Sequence, residues 1–91
     1  MLRGDERVYI GNLSLRGLVR RALRPDRRTR IALDDQNCVP RPIATIAEHL
    51  WWSHTPAPLI VRLVRRAARD SEYRDAALAL VAIHAQWETW P

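Results

Sequence analysis

The chain has no lysine, no phenylalanine, one cysteine, three glycines and no long apolar run. Each shortage excludes something. A lone Cys38 rules out an internal disulfide and makes a cytoplasmic location the default expectation. Gly4, Gly11 and Gly17 are too few and too scattered for a phosphate-cradling loop. A membrane span needs about eighteen consecutive apolar residues, and none occur here, so no membrane partner is expected. The opening Met1-Leu2-Arg3-Gly4-Asp5-Glu6-Arg7 lacks the apolar segment of a secretory signal.

What remains is a chain of 91 residues, 47% apolar, which suits one small domain with a limited core. All fifteen positive side chains are arginine. The codon bias of a GC-rich genome gives that composition, and explains the missing phenylalanine as well. The functional reading is bidentate contact with carboxylate or phosphate, for which arginine is the residue of choice. Charge is unevenly placed. The first 41 residues hold ten arginines and five acids, while the remainder balances five against five, so the whole +5 lies in the first half. Such asymmetry suits nucleic acid or an acidic protein equally.

The second half reads as helical. Over 42–54, Ile43, Ile46, Ala47, Leu50 and Trp51 recur at helical spacing, with Pro42 in the first turn. Thr55-Pro56-Ala57-Pro58 breaks and restarts the chain, with Thr55 as N-cap. A helix over 58–69 places Leu59, Ile60, Leu63, Val64 and Ala67 on one face and Arg62, Arg65, Arg66 and Arg69 on the other. Ser71 can cap a last helix over 72–87, with the stripe Tyr73, Ala76, Ala77, Leu80, Ile83 and Trp87. Alanines and Val81 make its remaining surface nearly apolar, which predicts a helix central in the bundle or covered by a partner, the central position being favoured.

The first half is less regular. Residues 1–13 are a lead-in in which Val8-Tyr9-Ile10 is a short strand or an apolar approach. Residues 14–41 form a basic half. Asn12 or Ser14 caps a helix over 15–24, with Leu15, Leu18, Val19 and Leu23 inward. Gly17 weakens it by roughly 1 kcal/mol against alanine. Thr29 to Leu33 reads as a short helix or an extended stretch, 34–37 as a turn, and 38–41 as linker.

Few motifs carry chemistry. Val8-Tyr9-Ile10-Gly11-Asn12-Leu13 matches the first strand motif of RNA-recognition domains, where an aromatic stacks a base. That fold needs a second, Gly- and aromatic-rich strand, and nothing after Leu33 supplies it, so the match reads as coincidence. Zinc sites use closely paired ligands. His49 and His54 are five residues apart, on different helix faces, and neither Cys38 nor His84 has a neighbouring ligand in sequence. No metal, cofactor or catalytic residue is therefore expected, and the chain reads as no enzyme.

The arginine face of the 58–69 helix is the best-defined surface feature. It is a solvated face or a docking strip. It lacks the Asn, Gln, Ser or Thr that read base edges, so on DNA it would contact phosphate without sequence preference. Adjacent helical residues lie ~100° apart, so Trp51 and Trp52 cannot share a face. Periodicity sends Trp51 to the core and leaves Trp52 outside, as a candidate partner anchor.

Residues 30–83 resemble the C-terminal part of the effector-associated domains of bacterial conflict systems, small helical modules of death-fold type. The matching stretches are Arg30-Ile31-Ala32-Leu33-Asp34-Asp35, Ile43 to Trp52, Leu59 to Ala68, and Ala77-Leu78-Ala79-Leu80. The resemblance implies a non-enzymatic adaptor that pairs with a like domain on another protein and so recruits an effector such as a protease. It carries no catalytic residues.

The expectation is an all-α bundle of four or five helices, with its core in 42–87. Its expected function is protein-interaction adaptor, binding through Arg62, Arg65, Arg66, Arg69 and Trp52, with self-association open. The second reading is a nucleic-acid-binding regulator that uses Arg20, Arg21, Arg24, Arg27, Arg28 and Arg30. A third is a small phage-encoded or antitoxin-type inhibitor of an enzyme.

Overall fold

The computed structural model describes residues 6–24 and 37–89, with side chains to residue 86. The architecture is all-α. Among the described residues four helices pack together beside one two-stranded ladder, in the order β1 (Arg7–Tyr9), α1 (Leu13–Ala22), β2 (Cys38–Pro40), α2 (Arg41–Trp52), α3 (Ala57–Arg69) and α4 (Ser71–Thr89). The possible fifth helix, Thr29 to Leu33, lies outside the described residues.

Local chemistry sets the helix starts. The Asn12 side chain accepts hydrogen bonds from the backbone N–H groups of Ser14 and Leu15, which have no intrahelical partner at an N-terminus. Leu15, Val19, Ala22 and Leu23 then turn inward. Gly17 does not prevent this helix, because the buried face outweighs one residue of poor propensity. Helix α2 begins at Arg41 with Pro42 in its first turn, as its sequence predicts. Its end is a Schellman motif: Thr55 N–H bonds the Leu50 carbonyl and His54 N–H bonds the Trp51 carbonyl. His54 holds the left-handed position, φ 58°, where glycine is usual. That turn delivers the chain to α3.

Three boundary expectations change. Pro56, not Thr55, is the N-cap of α3, and it makes no side-chain cap bond. Asp70, not Ser71, caps α4, its Oδ1 accepting from Tyr73 N–H. The 38–41 stretch is not a linker. Cys38–Pro40 pairs antiparallel with Arg7–Tyr9, Val8 opposite Val39, and Arg41 N–H continues the ladder to the Glu6 carbonyl. Long-range backbone pairing of this kind leaves no signature in three residues.

The core lies between α1, α2 and α3. Ile10, Val19, Val39, Ile43, Ile60 and Val64 are its largest fully buried side chains, each contributing about 1.5–3 kcal/mol on removal from water. Helix α2 touches every other element. Its Ala44 and Ala47, fully buried, allow close approach on more than one side. The centre of the bundle is therefore α2, not α4. None of α4's described side chains is fully buried. Tyr73, Ala77 and Leu78 pack on the core, whereas Ala76, Leu80 and Ile83 of the expected stripe face solvent. A uniformly apolar helix has no preferred face, and here the central site is filled by α2, which buries Ile43, Ala44, Ile46 and Ala47.

Among the described residues no helix is long and apolar enough to cross a membrane.

Candidate interaction surfaces

The buried arc of α3 is Ile60, Val64, Ala67 and Ala68, with Val61 packed beside it. This is rotated by about one residue from the sequence-based face, and Leu59 is 40% exposed. The rotation separates the four arginines into three environments. Arg65 sits at the margin and reaches α1. Its Nε donates to the Ala22 carbonyl at 3.4 Å and a terminal nitrogen donates to the Arg21 carbonyl at 3.5 Å. Those carbonyls belong to the C-terminal turn of α1, where a cation is favoured by the helix dipole. Arg66 lies 4.9 Å from the Tyr73 ring centroid and pairs with Asp70 at 3.8 Å. Arg62 and Arg69 are exposed and make no ion pair among the described residues. Arg66, Arg69, Asp70, Ser71 and Glu72 rim a shallow, open depression at the α3–α4 junction.

Arg65 carries the α3 strip to the backbone of the last turn of α1, the helix that also bears Arg20 and Arg21; Arg21 and Arg24 are exposed. Arg20 is partly committed elsewhere: it donates to the side-chain oxygen of Asn37, the one buried polar residue among those described, itself at φ 60°. Arg27, Arg28 and Arg30 lie outside the described residues. Arg16 is also engaged, donating to the Ile10 carbonyl at 2.8 Å and lying 4.8 Å from the Tyr9 ring centroid. Tyr9, the aromatic of the RNA-recognition-like hexapeptide, therefore has an arginine against its ring.

An apolar surface accompanies the charged one. Trp51 packs against the core and Trp52 is 74% exposed, the division that helical geometry requires. On α4, Leu80 is 59% exposed and Ile83 47%, with Ala76 and Ala79 on the same outer face. Their spacing of three and four residues makes one stripe. His49, one turn before Trp52, contacts His84, the residue after Ile83. That contact brings the end of α2 and the outer end of α4 together.

Reasoning from sequence placed Ala76, Leu80 and Ile83 in the core, favouring a central helix over one covered by a partner, although a helix apolar on most sides has more apolar surface than one bundle position can bury. It also separated His49 from His84, and no spacing rule joins residues on different helices. Among the described residues no group of three or more His, Cys, Asp or Glu is arranged to hold a metal ion. Cys38 is half-buried in β2.

No family model matches the chain, and no curated protein or solved structure matches it.

Proposed function

We propose that this chain is a non-enzymatic protein-interaction module, an adaptor that docks on another protein carrying a similar helical domain and so recruits an effector. The observation that carries this reading is the outer face of α4. Leu80 and Ile83, flanked by Ala76 and Ala79, stay in water although the core lies one helix face away. An apolar stripe of this kind, together with an exposed tryptophan on α2, the helix that α4 meets through His49 and His84, is the composition of an interface centre. Trp52 supplies a rigid anchor. Arg62 and Arg69, exposed and without an ion pair among the described residues, supply charge that steers an acidic partner and rims the contact. Arg65 and Arg66 contribute to holding α3 against α1 and α4, and are therefore poor probes of binding.

The test is capture of partners from a cell lysate, with and without nuclease. The expected result is a nuclease-resistant partner that carries a like helical domain. Trp52→Ala and Leu80→Asp should each abolish its capture, and Arg62→Glu with Arg69→Glu should weaken it, with the far-UV circular dichroism unchanged. Capture that survives both apolar substitutions removes this surface from the reading.

The second reading is nucleic-acid binding, favoured by the contact of Arg65 with the arginine-bearing last turn of α1, where Arg21 is exposed. Phosphate contacts from these arginines would be sequence-independent. This reading expects recovery that vanishes with nuclease and affinity that falls steeply with salt; a flat salt response rejects it.

A further inference from the structure

We propose that His49 and His84 form a two-imidazole site for a divalent transition-metal ion of the zinc, nickel and copper class. The facing nitrogens are Nε2 of His49, on α2, and Nδ1 of His84, on α4. They lie 3.2 Å apart across a sequence separation of 35 residues. The ring centroids are 5.2 Å apart, with the planes tilted by 34°. Two neutral imidazoles satisfy this contact with one shared proton, one nitrogen donating and the other accepting.

The same separation suits a metal. Two histidine nitrogens held ~2.0–2.1 Å from a tetrahedral ion lie ~3.4 Å from each other. The observed spacing comes within a few tenths of an ångström of that value, so an ion can take the place of the shared proton with small rotations of the two side chains, the proton passing to the far ring nitrogen of the donor as that histidine changes tautomer. Access is open, because His84 is exposed and His49 half-buried. Both ligands stand on helices rather than loops, which holds their relative position. His49 follows the buried Ile46 and Ala47 on α2, and α4 is packed on that helix.

The chemistry of the donors selects the ion. Imidazole favours zinc, nickel and copper, whereas magnesium and calcium prefer oxygen. Two protein ligands leave further coordination positions for water or for a donor from a second molecule. Binding would also fasten the outer part of α4 to α2, and a ligand that binds only the folded state raises the melting temperature. The site uses neither the arginines nor the apolar stripe, so failure of partner capture and failure of metal binding are separate results.

The experiment is calorimetric titration of the full chain at neutral pH with zinc chloride and nickel chloride, alongside thermal melts. Saturable binding is expected at one ion per chain, or one per two chains where a second copy completes the coordination. The melting temperature should rise with zinc and nickel and stay unchanged with magnesium. His49→Gln and His84→Gln should each weaken binding by about tenfold or more. His54→Gln should leave it intact. His84 is exposed, so its variant should keep the parent's far-UV circular dichroism, which checks that lost binding is not lost fold. Absence of saturable binding, binding indifferent to His84→Gln, or binding lost only in His54→Gln would overturn the site.

Discussion

Helices α3 and α4 follow each other with only Asp70 between them, yet they occupy opposite situations. α3 carries five arginines or prolines among its thirteen residues, and it packs against α1, α2 and α4. α4 is the more apolar of the two, and none of its described side chains is fully buried. Segregation of apolar residues, rather than their amount, decided which helix entered the core. α3 concentrates Ile60, Val64, Ala67 and Ala68 on one arc and leaves its charges on another. Its burial therefore costs little desolvation of polar groups. α4 spreads its apolar residues around the axis, so whichever face docks, another remains wet.

The contrast can be pressed at three points. The largest effect is expected from Ile60→Ala. Ile60 is almost fully buried where α3 meets the core, and truncation should cost about 2–5 kcal/mol by the lost burial and the cavity left behind. Urea unfolding measures this; a loss below 1 kcal/mol would mean that α3 is not the better-buried helix. An intermediate effect belongs to Asp70, which connects the two. Its side chain caps α4 through Tyr73 N–H and faces Arg66. Asp70→Ala should cost ~0.5–2 kcal/mol and speed amide exchange in the first turn of α4 ahead of α3. The smallest effect on stability is expected from Leu80→Gln combined with Ile83→Gln, within about 0.5 kcal/mol for surface positions. A large loss there would show that α4's outer face is covered in the folded chain. Unchanged stability with lost partner capture would sharpen the comparison into a division of labour between the two helices.

The arginines repeat the lesson on a smaller scale. Arg62, Arg65, Arg66 and Arg69 form one face by spacing, but a rotation of about one residue gives them different tasks. Arg65 meets the carbonyls of α1, Arg66 meets Asp70 and Tyr73, and the other two remain open to solvent. Three- and four-residue steps identify a charged side of a helix. They do not resolve which member of it lies at the margin, because that depends on the neighbour against which the helix rotates. The exposed Trp52 was legible for the opposite reason. Its separation from Trp51 is a property of the helix alone, at ~100° per residue, and holds wherever α2 docks.

The sequence by itself determined the local elements. The apolar spacing of 43–51 and 59–67, the Asn12 cap, Pro42 in a first turn and the break at 55–58 are set by contacts within a few residues. Those interactions need no contact with another helix. Tertiary structure alone decided that α2 rather than α4 is central, that Cys38–Pro40 pairs with Arg7–Tyr9, that Arg65 joins two basic segments, and that His49 faces His84. Each of these joins residues from separate elements, 29 to 44 positions apart in the named side-chain and strand contacts. Such pairs are chosen by how the elements fit as solids, with α2's small buried alanines permitting the close approach that α4's evenly spread surface does not direct.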